Sequence, residues 1–166
     1  MARQLRQAYL STLITLVVQF LLGMATNLFV DIPTSHPGAQ PPEYFSGVFQ
    51  SVIWAILDGP SVLLAAHAVL GLLLVLSGFT LVFRAVRANH RPTLITAIIG
   101  AVAVLGAGFN GGSFLNYNED FSSMIMSSFF AVAVVAYAVG LWALPQELPP
   151  DHALSTVGRS TSGRAE

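Results

Sequence analysis

The sequence predicts an all-α membrane protein: a bundle of four transmembrane helices, arranged as two parallel helix-loop-helix repeats, with one outer interfacial amphipathic helix. Three observations predict it. Of 166 residues, 54% are hydrophobic and only 9% charged, too few charges to give a globule of this size a solvated surface. Four stretches, 8–30, 61–83, 93–109 (with an extension to Leu115 left open) and 122–144, reach or approach the roughly 20 apolar residues that cross a hydrocarbon core of about 30 Å. The charges also alternate between connections. Arg3, Arg6, Arg84, Arg87, Arg91, Arg159 and Arg164 fall on one side of the spans, and Asp31, Glu43, Asp58, Glu119 and Asp120 on the other.

The same composition excludes several classes of function. A net charge of −1 offers no basic field to hold a phosphate backbone, so no nucleic-acid partner is expected. The absence of Cys removes disulfides, thiolate nucleophiles, iron–sulfur clusters and Cys-based zinc sites. The partner the composition requires is the lipid bilayer.

The first span, 8–30, contains a small-residue pattern at Gly23-Met24-Ala25 that resembles a signal-peptide cleavage site. Its apolar run continues through Val30, longer than a signal-peptide core, so it reads as a membrane span. The positive-inside rule places both termini and the short Arg84–Pro92 turn in the cytoplasm. Location therefore reads as a bacterial cytoplasmic membrane, multi-pass. Pro33, Pro37, Pro41 and Pro42 keep the next segment extended. Residues 44–57 then repeat apolar side chains at helical spacing: Phe45, Val48, Phe49, Val52, Ile53, Ile56 and Leu57, with Ser46, Gln50 and Ser51 opposite. At that length the helix is too short to span, so it is expected to lie in the outer interface with Trp54 near headgroup depth. Asp58-Gly59-Pro60 ends it. Asp120 and Ser122 are expected to cap the fourth span, and residues 145–166, rich in Pro, Ser, Thr and Gly, to form a disordered cytoplasmic tail. His36, His90 and His152 read as solvated.

The first and third spans carry a common pattern. Leu22-Gly23-x3-Asn27 matches Leu105-Gly106-x3-Asn110, and Thr12-Leu13-Ile14-Thr15 matches Thr93-Leu94-Ile95-Thr96. Two copies of a two-helix unit in the same orientation account for this. Under that alignment the partner of His67 in the fourth span falls at Ser128 or Phe129. The string Gly106-Ala107-Gly108-Phe109-Asn110-Gly111 satisfies a dinucleotide-binding fingerprint. It ends a membrane helix instead of joining a strand to a helix, so that reading fails.

His67 is the one ionisable side chain of Asp, Glu, Lys, Arg or His type inside a span, and an ionisable group at membrane depth points to a site. Gly71 and Gly78 on its helix leave a flat strip beside the imidazole, which suits a haem axial ligand or a quinone partner. Gln19 and Asn27, with Gly23 and Thr26, form a polar stripe on the first span. Met24, and Met126 or Met124, lie at similar depth as soft ligands. No catalytic residue and no metal site is read from the sequence. The loop 116–120 clusters oxygen ligands without the spacing of a defined cation site.

Gln19-x3-Gly23-Met24-Ala25-Thr26-Asn27, the outer amphipathic helix, and His67-x3-Gly71 together resemble one half of a haem A synthase, itself a duplicated four-helix bundle, and also a cytochrome b561-like bundle. The resemblance implies haem as a cofactor and His67 as one axial ligand. The chain departs from that family's pattern: it has no second membrane His, and Glu43 is followed four positions on by Gly47, not by a His. Paired ligation would therefore need a homodimer. The expected function is a non-catalytic accessory or assembly subunit packed against another membrane subunit. The alternative is a haem- or quinone-binding redox protein using His67.

Overall fold

In the computed structural model, which describes residues 2–144, the chain is all helix and loop: α1 (Ala2–Phe29), α2 (Tyr44–Leu57), α3 (Val62–Ala88), α4 (Arg91–Tyr117) and α5 (Asp120–Ala143). Four of the five are long and apolar enough to cross a membrane, and α2 is the short one. The segment expected to form a tail, with His152 in it, lies outside the described residues. The spans are longer than the apolar runs alone suggest, because α1 starts at Ala2 and α3 continues to Ala88, carrying the Arg-bearing ends as extra helical turns.

The long helices form an antiparallel ring. α1 packs on α3 and α5, and α4 packs on the same two, so α1 and α4 occupy one diagonal and α3 and α5 the other. Two tyrosines fill the middle. Tyr9 on α1 and Tyr137 on α5 are wholly buried and meet edge to face, their ring centroids 5.9 Å apart. The Tyr9 hydroxyl reaches across the diagonal to donate to the Thr93 carbonyl on α4 at 2.7 Å. Glycines make room for both rings. A side chain at Gly100 would collide with the Tyr137 ring, and one at Gly140 with the Tyr9 ring. Gly78 lies under the Tyr137 hydroxyl, where a Cβ would be 3.1 Å from the oxygen.

The duplicated motif has a packing counterpart. A Cβ at Gly23 would lie 2.8 Å from His67 Cε1, and one at Gly106 would lie 3.0 Å from three carbons of the Phe129 ring. In each half, a ring from the second helix is thus seated over the motif glycine of the first. On α3 the ring is followed by Gly71 and Gly78, and on α5 Phe129 is followed at the same spacings by Ala133 and Gly140.

The fourth helix does not end at Phe109. It runs to Tyr117 and stops at Asn118, which adopts the left-handed conformation that asparagine tolerates. Gly111 and Gly112 are weak helix formers, but Val48 of α2 packs so near Gly112 that a Cβ there would approach its Cγ1 to 2.6 Å. The glycine is where α2 meets the α4 backbone. α5 begins after Glu119 with no side-chain cap. Asp120 is not a cap but the first helical residue, and Ser122 instead pairs with Ser113 at 3.3 Å.

α2 turns most of its bulky apolar side chains outward, as a helix lying in the outer interface does. Gly47, Val48, Ser51, Trp54 and Ala55 face inward and are buried, whereas Phe45, Phe49, Ile53 and Leu57 point out, 57 to 72% exposed. Ser51, opposite the apolar stripe, is wholly buried, and Trp54 is buried against Ala55, Leu64 and Leu115. Small and polar side chains permit close approach to the bundle, so the bulky apolar side chains are left for the membrane side. Glu43 starts the helix by accepting from the Phe45 and Ser46 amides.

If the glycine–tyrosine seats hold the ring together, Gly100→Leu should lower the melting temperature in detergent, at a cost of about 1–3 kcal/mol or more from overpacking. Gly108→Ala, where nothing lies within 4 Å of the added carbon, should leave it unchanged. Equal melting temperatures for the two variants would contradict the packing described.

Candidate functional site

The seam between α1 and α3 brings together the polar groups that the sequence marks in the spans. Asp58-Gly59-Pro60 breaks the chain, and Ser61 starts α3 by accepting from the Leu63 amide at 3.1 Å. His67 follows two turns down, on the face toward α1. Opposite it, Gln19 and Gly23 lie one turn apart on α1, so the same face offers an amide and a bare stretch of backbone.

The imidazole enters edge first, with Cε1 toward Gly23. Gln19 Nε2 donates to the His67 carbonyl at 3.1 Å and lies 3.4 Å from the ring's Nε2. An amide N–H turned toward Nε2 makes that nitrogen an acceptor and leaves the ring proton on Nδ1. Gly71 is what allows Gln19 to lie here, since a Cβ at that position would be 3.3 Å from its Nε2. His67 Nδ1, Gln19 Oε1 and Thr26 Oγ1 are buried with no hydrogen-bond partner. Each such group costs about 1–3 kcal/mol when unsatisfied. Chemically, the seam offers one free donor and free acceptors in an apolar setting. It offers no proton relay, because no Asp, Glu or Lys lies in the spans.

The other sequence-derived candidates do not converge on His67. Gly78 packs against Tyr137 and Ala101, and Met126 faces Gly111, its sulfur 3.2 Å from where a Cβ would be. Met24, Met124 and Asn27 are exposed. Asn110, the repeat partner of Asn27, donates to the Gly106 carbonyl in its own helix at 2.8 Å. Among the described residues, no group of three His, Asp or Glu side chains is placed to hold a metal ion. Both ring nitrogens of His67 border α1, so a bond from either to an iron would require α1 to move away from α3.

A second polar cluster escaped the sequence reading. His36 is half-buried, not free in solvent: its ring stacks on Trp54 with centroids 4.0 Å apart and planes 10° from parallel. Asn116, 2% exposed, is the hub beneath it. With its amide nitrogen turned to the acceptors, it lies 2.6 Å from Ser51 Oγ and 3.2 Å from the carbonyls of Gly38 and Gly47. Gly38 takes a φ of +89°, and a side chain there would strike Ser51. His90, also read as solvated, sits half-buried before α4 with its Nδ1 2.6 Å from Thr93 Oγ1. The one local sign of the cap was a His between prolines ahead of an aromatic-rich helix. Its partners lie about eighty residues further on, where no periodicity reaches.

Gly23→Val should destabilise the protein by driving a branched side chain into the ring, and His67→Ala should relieve much of that loss. A double-mutant cycle in detergent is expected to show a coupling of about 0.5–3 kcal/mol between the two positions. Strict additivity would mean that the ring is not seated on Gly23. Comparison of the chain with protein-family models, with curated proteins and with solved structures returned no match.

Proposed function

We propose that this protein is a non-catalytic accessory or assembly subunit of a bacterial cytoplasmic membrane, its N-terminus and its Arg84–Arg91 turn on the cytoplasmic side. The observation that carries this reading is the pairing of His67 over Gly23 with Phe129 over Gly106. The ionisable group that would have to carry chemistry occupies the seat that a phenyl ring occupies in the other half, so its first role is to fill space. Two further features support the reading. The outer faces of the long helices are broadly apolar. An open groove of about 500 Å³ follows the α1–α3 seam at its arginine end, lined by leucines such as Leu70 and Leu76, by the hydroxyl side chains of Ser11, Thr15 and Ser77, and by Arg84. Small residues at a helix face let a neighbouring helix approach closely, which is what a subunit interface in a bilayer requires.

A second reading, that of a quinone- or haem-binding protein, is favoured by one observation: the unpartnered Nδ1 of His67 beside the unpartnered Oε1 of Gln19. A carbonyl head group would accept from that Nδ1. Haem ligation, as the resemblance to one half of a haem A synthase implies, demands in addition that the seam open.

Purification in mild detergent from cells supplied with a haem precursor separates the two. The accessory reading expects a larger membrane subunit to copurify with both the wild type and His67→Phe, and no Soret absorption. A stoichiometric Soret band, or extractable quinone, lost on His67→Phe would overturn it.

A further inference from the structure

We propose that the groove between α1 and α3 is a binding site for an anionic phospholipid, with an acyl chain along its leucines and the phosphate on Arg84. The groove encloses about 500 Å³ between Leu70, Leu73 and Leu76 of α3 and Ser11 and Thr15 of α1, and Arg84 lines its last turn. Leu70 and Arg84 are separated by about 21 Å of helical rise. Half a bilayer, from midplane through head groups, is about 20–22 Å deep. The groove is therefore as long as one leaflet is thick, and it lies in the leaflet on the arginine side.

Apart from that arginine the wall is suited to hydrocarbon. Leu73 and Leu76 are 50 and 61% exposed. The hydroxyls of Ser11, Thr15 and Thr80 donate to carbonyls of their own helices, those of Ala8, Ser11 and Leu76, at 2.8 to 3.0 Å, so their protons are spent within the protein. A ligand that matches such a wall is an apolar chain with an anion at one end.

The anion comes from outside the described chain. Asp31, Glu43, Asp58, Glu119 and Asp120 all lie toward the opposite end of the bundle, and no described carboxylate is within 4.0 Å of Arg84. Arg87 is already engaged, with its guanidinium over the Phe83 ring at 4.8 Å from the centroid. A guanidinium matches phosphate oxygens bidentately, and basic pockets between membrane helices hold anionic head groups. A second copy of this chain in the same orientation is a poor occupant, because it brings arginines to Arg84. The other flank of α1 repeats the pattern on a smaller scale: about 320 Å³ against α5, lined by Arg6, Leu13, Leu141 and Trp142. Trp142, 86% exposed, adds the amphipathic ring that favours head-group depth. The lipid site goes beyond the accessory reading and does not need it: where a neighbouring subunit packs on this seam, the lipid lies between the two.

Native mass spectrometry of the full-length protein in mild detergent, titrated with phosphatidylglycerol and with phosphatidylcholine, reads the site. The wild type should bind phosphatidylglycerol more tightly. Arg84→Gln should weaken that binding about fivefold, the effect of one cation beside an anionic head group, and leave phosphatidylcholine unchanged. Arg84→Lys should keep the preference, and Arg87→Gln should bind as the wild type does. Ser77→Leu fills the groove while keeping its charge, and should weaken binding of both lipids. A photoreactive side chain at position 77 should capture lipid in membranes. The inference is overturned if Arg84→Gln binds phosphatidylglycerol like the wild type, or if the two lipids bind alike. An equal loss in Arg87→Gln would mean a diffuse basic field and no site, and capture of a protein chain in place of lipid would assign the groove to a partner helix. The lipid titrations do not depend on whether a subunit copurifies, so they stand or fall separately from the accessory reading.

Discussion

Rings seated on glycines are the interaction on which the rest of this bundle depends. Inside a bilayer, lipid tails are as apolar as leucine, so burying leucine against leucine does little to draw two helices together; close van der Waals contact does. Glycine lets a ring approach backbone directly, and the chain uses that contact repeatedly: Tyr9 on Gly140, Tyr137 on Gly100, Phe129 on Gly106 and His67 on Gly23. These seats join α1 to α5, α5 to α4 and α3 to α1. The fourth seam, α3 to α4, is made by Gly78 against Ala101. The ring of helices is closed by these contacts, and the leucines and valines left over are free to face lipid.

That constraint shapes how function is read. A histidine in a membrane interior draws attention because it can titrate or ligate. Here its edge is pushed against a glycine and its carbonyl is tied to Gln19. The two halves solve the same packing problem with different rings, and only one of the rings is polar. The polar ring carries a cost, since its Nδ1–H is buried without a partner. A phenyl ring would remove that one group and leave Gln19 Oε1 and Thr26 Oγ1 as they are. This is why the seam supports a packing role first and a ligand role second.

Much of the architecture was legible in the sequence because it rests on composition. The shortage of charge and the four apolar runs are local quantities, and they correspond to α1, α3, α4 and α5. The match between Leu22-Gly23-x3-Asn27 and Leu105-Gly106-x3-Asn110 led to Ser128 or Phe129 as the counterpart of His67, and it is the Phe129 ring that sits over Gly106 as His67 sits over Gly23. The amphipathic setting of α2 was legible, but the face it packs with was not: Gly47, Ser51 and Ala55 go inward together with Val48 and Trp54, and which small and polar residues meet the bundle depends on partners distant in sequence. The end of α4 was legible only to within the choice between Phe109 and Leu115: the helix runs on through Gly111 and Gly112, weak helix formers, because Val48 packs against Gly112. The cap was hidden because His36, Trp54, Ser51 and Asn116 come from three separate segments. The Tyr9–Tyr137 pair spans the length of the chain.

The most direct test of the seated-ring account is the thermal stability of His67→Phe in detergent. A phenyl ring fills the seat over Gly23, as it does over Gly106, and removes the unpartnered Nδ1. The account therefore predicts a melting temperature equal to or above that of the wild type. A clear loss of stability on this substitution, with the fold otherwise intact, would show that the imidazole's polarity, and not its shape, holds α1 to α3.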